Sequence, residues 1–165
     1  MIQVRAMTLL TPETIPLPGY KHLPGKNARP DDGLLESIAQ NASAVTDNTS
    51  YQTNTAWFYG IHLFNNGFYW ETHEVLEAVW NNAAPNSREK HLVQGVIQIA
   101  NAQLKACLGQ TNAAARLQKL AGECISRAYG KNDGSNFLLG LESSLMFDAA
   151  ARCDQIDADI YFQLK

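Results

Sequence analysis

The sequence predicts an all-α fold, a compact antiparallel bundle of four to five main helices behind an extended Pro-rich N-terminal arm. Three observations carry this. From Thr55 onward, apolar residues recur at three- and four-residue spacing, the period of a helix with one buried face. No run alternates β-branched with polar residues, as a half-buried strand requires. The segments between periodic stretches are short, which folds consecutive helices back on one another. The chain has 165 residues, 45% hydrophobic and 18% charged, enough apolar material for one core and too hydrophobic for a disordered chain.

Five of the six prolines (Pro12, Pro16, Pro18, Pro24 and Pro30) fall in the first 30 residues. Proline fixes φ and lacks an amide donor, so residues 11–30 run neither as a helix nor as a central strand. The stretch Leu17-Pro18-Gly19-Tyr20-Lys21-His22-Leu23-Pro24-Gly25 reads as an arm with turns at Pro-Gly, anchored by Tyr20 and Leu23. Asp31-Asp32-Gly33 opens a short helical pattern from Leu34 to Ala42, with acidic residues at its N-terminus. Residues 43–54, rich in Ser, Thr, Asn and Asp, read as a polar linker. The expected organisation is arm, short helix and linker over 1–54, and one helical unit over 55–165.

In that unit Trp57, Ile61 and Phe64 share one stripe, and Asn65-Asn66-Gly67 turns the chain. A second helix runs from Tyr69 to about Asn81 and stops in the loop before Ser87. Ser87 caps a long helix to about Leu108, with Val93, Val96, Ile97, Ala100, Leu104 and Leu108 on its apolar face. Gly109 closes it and Thr111 opens the next, carrying Ala113, Leu117, Leu120, Ala121, Cys124 and Ala128. A last helix is expected from Ser135 to about Cys153, carrying Leu138, Leu141, Leu145 and Ala149, with Glu142 on the same stripe.

Charge and cysteine usage narrow the function classes. The formal net charge is −3, with basic and acidic residues evenly distributed. Nucleic-acid binding is not expected, because counterion release needs clustered Lys and Arg. Cys107, Cys124 and Cys153 show no CxxC spacing, which fits small core residues in a reducing compartment rather than a disulfide framework or a Cys-based zinc site. Residues 2–5 form neither a basic nor a long apolar leader, and no run reaches the ~18 apolar residues of a membrane span. The expected location is the cytoplasm, with no membrane association. GxSxG, Walker A, GxGxxG and RNP-type motifs are absent, so no common hydrolase or nucleotide chemistry is indicated.

The stretch from Phe64 to Trp80 holds the candidate chemistry. At about 100° per residue, Tyr69, His73, Leu76 and Trp80 stack on one line, so His73 is expected within a buried stripe. Glu77 flanks it one turn later and Glu74 points further toward solvent. A buried imidazole needs partners, and Gln94, Gln98, Asn101 and Glu142 are the candidates. Three readings follow. In the first, a divalent metal sits on His73 and Glu77, the i, i+4 spacing of a zincin helix with Glu77 in place of the second histidine; His62 and His91 project away from their own apolar stripes, so the third ligand is missing. In the second, His73 is a general acid or base in a metal-free site, oriented by Glu77 or Glu142, with Tyr69 or Gln94 on the ligand. In the third, the cluster is a satisfied polar network that fixes helix packing. Trp57, Trp70, Trp80 and their Phe and Tyr neighbours make an aromatic window suited to a core, an apolar pocket or an interface.

Taken together, Phe64-Asn65-x-Gly67-x-Tyr69-x-x-x-His73-Glu74-x-Leu76-Glu77-x-x-Trp80 and Gln94-Gly95-x-Ile97-Gln98-x-Ala100 resemble the signature of the domain of unknown function 309 family, over about residues 60–120. The Pro18-Gly19-Tyr20 to Pro24-Gly25 arm is similar to one in some bacterial members. The resemblance implies a small all-α domain and carries no activity. It points to His73, Glu74, Glu77, Gln94 and Gln98 as the place for a site. Members often carry a histidine after the helix segment that holds Gln94 and Gln98; Ala102-Gln103-Leu104-Lys105 has none, which removes a second histidine from a metal site there. The leading expectation is a polar ligand- or metal-binding pocket formed by Tyr69, His73, Glu74, Glu77, Trp80, Gln94 and Gln98, with the reaction, if any, not legible. The alternative is a protein-interaction or self-association module, and the third choice is a metal-dependent hydrolase-like enzyme.

Overall fold

A computed structural model describes residues 14–31, 33–130 and 136–165. The start of the arm and Ser135, the expected first residue of the last helix, lie outside the described residues. The elements are α1 (Leu34–Gln40), a 3-10 turn (Tyr51–Thr53), α2 (Thr55–Asn65), α3 (Tyr69–Asn81), α4 (Arg88–Cys107), α5 (Thr111–Tyr129), strands β1 (Phe137–Leu138) and β2 (Leu141–Glu142), and α6 (Ser143–Arg152). The fold is mostly helical, with five main helices and one short one among the described residues.

Local chemistry starts two of these helices. Asn54 Oδ1 accepts from the Trp57 N–H at 3.4 Å and opens α2, and Ser87 Oγ accepts from the Lys90 N–H at 3.1 Å and opens α4. Packing then orders them. α4 lies between α3 and α5, α2 packs on α3 from another side, and α1 and α6 lean on α3 and α5. Two glycines permit the closest approaches. A Cβ at Gly60 of α2 would stand 2.3 Å from Leu76 Cδ2 of α3, and one at Gly95 of α4 would stand 2.6 Å from Ile125 Cδ1 of α5. The core is built on fully buried Trp57, Leu63, Leu76, Leu92, Ile99 and Ile125. Trp57 keeps its polar edge satisfied by donating from Nε1 to the Leu139 carbonyl at 3.0 Å.

Four expectations are corrected. Leu138 and Leu141 belong to a two-residue antiparallel ladder rather than to the last helix. Leu139 and Gly140 both sit at positive φ (48° and 78°), the geometry of a tight hairpin, so α6 starts only at Ser143 and Glu142 ends β2. Leu120 is 45% exposed, because the buried line of α5 runs through Ala114, Ala121, Cys124, Ile125 and Ala128 and leaves it outside. Cys107 is exposed while Cys124 and Cys153 are buried, since Cys107 is the last residue of α4, at the end of the bundle. Tyr20 does not anchor the arm: it is exposed, and its hydroxyl bonds to Ala28 within the arm itself.

The arm is held elsewhere. Ile15 joins the core, the Tyr59 hydroxyl donates to the Pro16 carbonyl at 2.8 Å, and His22 is buried against α3. The polar stretch 43–54 is likewise tied down. Thr46 bridges to Ala83, its N–H donating to Asn82 O at 3.0 Å and its hydroxyl to Val79 O at 2.7 Å. Asp47 accepts from the N–H and hydroxyl groups of Thr49 and Ser50, which holds its carboxyl below the usual carboxylate range.

Candidate functional site

Every residue of the candidate cluster sits on α3 or α4, and α3 distributes its side chains over three faces. Its buried face is centred on Thr72, Val75, Leu76 and Val79. The line Tyr69–His73–Trp80 is therefore the margin of that face and not its middle, and these three side chains are half-buried where Leu76 is fully buried. This corrects the expectation of a buried His73.

The margin faces α4 and is pinned at two levels. Near one end, His73 Nδ1 lies 3.0 Å from Asn101 Oδ1. Taking that oxygen as the acceptor assigns the proton to Nδ1 and leaves the Nε2 lone pair as the basic or ligating position of the ring. At the other end, Lys90 Nζ stands 4.1 Å from the centre of the Trp80 ring and donates to the carbonyls of Trp80 (3.0 Å) and Ala83 (3.3 Å). A cation at the C-terminal end of α3 also suits the helix dipole. Lys90, Gln94, Gln98 and Asn101 follow one another at helical spacing along α4, so Gln94 and Gln98 occupy the seam between the two ties. Trp80 Nε1 and Gln98 Oε1 are buried there with no hydrogen-bond partner among the described residues. Gln94 is half-buried and Glu77 is exposed at the edge. Tyr69 extends the seam at its far end, its hydroxyl 3.4 Å from Gln103 Oε1, and burial pushes that phenol upward.

Glu74 does not join this seam. It faces the arm, where its Oε2 stands 3.6 Å from Arg29 Nη2. Nor does a third metal ligand arrive: among the described residues no group of three or more His, Cys, Asp or Glu is placed to hold a metal ion. His73 and Glu77 alone therefore do not fit a catalytic zinc site, which needs three protein ligands and an open position. No described helix is long and apolar enough to cross a membrane.

The most deeply buried carboxyl among the described residues, Glu71, was not among the candidates that the sequence offered. Glu71 is fully buried; its Oε1 accepts from the His22 N–H at 2.6 Å, and its Oε2 has no partner among the described residues. Burial pushes this carboxyl above its ordinary value of 4.5, against weaker opposite pulls from the His22 N–H, its own backbone N–H and the charges of His22 and Lys21. The His22 ring also packs edge-on against Trp70, centroids 4.5 Å apart. The available signal was position: Glu71, Val75 and Val79 are spaced i, i+4, i+8, so a carboxylate heads a core stripe. Gln103 was legible in the same way, one turn beyond Ile99 on α4. It is buried and donates from Nε2 to the carbonyls of Cys153 (2.7 Å) and Gln155 (2.9 Å), closing the C-terminal segment onto α4.

No curated protein and no solved structure matches the chain. The family model named Domain of unknown function (DUF309) matches residues 57–117, which run from α2 through both sides of the seam into α5. Over that segment the chain is similar to the DUF309 family.

Proposed function

We propose that this chain is a ligand-binding helical domain whose site is the polar seam between α3 and α4. The observation that carries the reading is the pair of buried, unpartnered atoms on that seam, a donor at Trp80 Nε1 and an acceptor at Gln98 Oε1, beside a half-exposed His73. Leaving a buried polar group unmade costs about 1–3 kcal/mol, so a seam with two of them gains when something fills it. A matching ligand is small and polar, with an acceptor for the indole N–H and a donor for the amide oxygen. His73 Nε2 and Glu77 lie at the open edge as the base and the carboxylate such a ligand meets. The second reading, a self-association module, is favoured by Ile156 and Tyr161, which are 61% and 62% exposed on the C-terminal segment.

The test is native mass spectrometry on protein purified without chelator, next to His73→Ala and Gln98→Leu. The expected result is a bound small molecule in the wild type that both variants lose while remaining folded. Wild type free of any adduct, with both variants losing stability, would leave the cluster as a packing network only. A stoichiometric divalent metal lost in His73→Ala would move the site to the metal reading. A mass that doubles with concentration and no adduct would favour self-association.

A further inference from the structure

A cleft lies on a different face of α3, between that helix, α1 and the arm, and the seam plays no part in it. It measures about 610 Å³, and its lining includes Arg29, Asp31, Leu35, Glu36, Trp70 and Glu74. Its chemistry is set by what already sits there. The Arg29 guanidinium carbon stands 4.8 Å from the centre of the Trp70 ring while its Nη2 reaches to 3.6 Å from Glu74 Oε2. A flat aromatic face together with a carboxylate is how proteins recognise a guanidinium, whose planar charge is weakly hydrated and stacks well. The Arg29 side chain is nevertheless 67% exposed, so the chain's own guanidinium is loosely held. Among the described residues lining the cleft, Arg29 is the only cation beside three carboxylates, Asp31, Glu36 and Glu74, of which it pairs with Glu74. One positive group leaves the cleft acidic, with Leu35 positioned for an aliphatic stem.

We propose that this cleft binds a guanidinium-bearing ligand, with Trp70 and Glu74 as the recognition pair and Arg29 as an internal competitor that the ligand displaces. The guanidinium has two sources, a free small molecule or an arginine side chain of a partner polypeptide. Arg29 then acts as a gate: the apparent affinity is the intrinsic one reduced by the fraction of time the pair is free of Arg29.

The experiment titrates the full chain with agmatine, with an end-capped Gly-Arg-Gly peptide, and with the matching citrulline peptide, a neutral isostere. The readout is the indole N–H signal of Trp70 in a nitrogen–proton correlation spectrum, assigned by its loss in Trp70→Phe. The expected result is a saturable shift with at least one guanidinium probe and none with citrulline. Glu74→Gln weakens that binding several-fold, and Arg29→Ala strengthens it by roughly threefold or more, as removal of an occupant demands. Saturation by agmatine assigns a free small molecule, and saturation by the capped peptide alone assigns a partner side chain. The proposal is overturned by an unmoved Trp70 signal with every probe, by an equal shift with citrulline, or by an Arg29→Ala protein that binds no more tightly than wild type. None of these readings depends on His73 or Gln98, so the seam and the cleft stand or fall separately.

Discussion

The two flanks of α3 solve the same problem in opposite ways. On the arm side the chain brings its own partners: His22 donates its backbone N–H to buried Glu71, its ring meets Trp70, and Arg29 covers Trp70 and Glu74. On the α4 side the polar groups meet only in part. His73 has Asn101 and Trp80 has Lys90 over its face, yet the Trp80 N–H and the Gln98 carbonyl go unanswered among the described residues. Both flanks come from one run of thirteen residues. The difference teaches that the arm brings this helix partners from far along the sequence, although Glu71 Oε2 keeps none among the described residues and Arg29 holds Trp70 and Glu74 only loosely, whereas α4 leaves the Trp80 N–H and the Gln98 carbonyl unmatched.

Glu71→Ala breaks the contrast hardest. It orphans the His22 N–H and opens a void under the arm, so a loss of about 1–3 kcal/mol is expected in denaturant unfolding, together with faster hydrogen exchange at the His22 amide. A protein as stable as wild type, with that amide still protected, would show that the arm is held without Glu71.

Glu71→Gln sharpens the contrast with a smaller effect, because its amide oxygen still accepts from His22 while the buried charge is gone. The carboxyl's folded value lies above 4.5, so its stabilising contribution is complete below about that pH and is lost as pH rises through the raised folded value. The stability difference between variant and wild type should therefore be flat in acid and move in favour of the glutamine protein as pH climbs above 4.5, then level off. A difference that stays constant with pH, or moves the other way, contradicts a raised Glu71.

On the seam the expected effects are smallest. Asn101→Ala removes one half-buried hydrogen bond from His73 and should cost only about 0.5–1.5 kcal/mol. Its more informative readout is the imidazole nitrogen spectrum, where the preference for the Nδ1–H form should weaken. An unchanged tautomer ratio would remove Asn101 as the group that orients His73.

How much could be read from the sequence followed how local each cause was. The bounds of α2, α3 and α4 and the start of α5 were legible because caps and apolar period act within a turn or two: Asn54 reaches Trp57, and Ser87 reaches Lys90. The hairpin before α6 was not, because two-residue strands leave no alternation to detect and the turn rests on Leu139 and Gly140 at positive φ. Of the site, the stripe Tyr69–His73–Trp80 and the row Gln94–Gln98–Asn101 were visible from helical spacing alone. Asn101 was among the partners this spacing suggested for His73 and does meet it, whereas the departure of Glu74 to the arm was not visible.

The sequence by itself therefore determined the helices, the extended character of the arm and which residue types share a helix face, since each depends on neighbours a few residues away. Only the tertiary structure decided which face meets which partner. Glu71 is answered by a backbone N–H 49 residues earlier, His73 by an amide 28 residues later, and Gln103 by carbonyls 50 and 52 residues later. How the helices stack depends in turn on how close they can approach, at Gly60 against Leu76 and Gly95 against Ile125. Periodicity along a single helix holds no information about that distance.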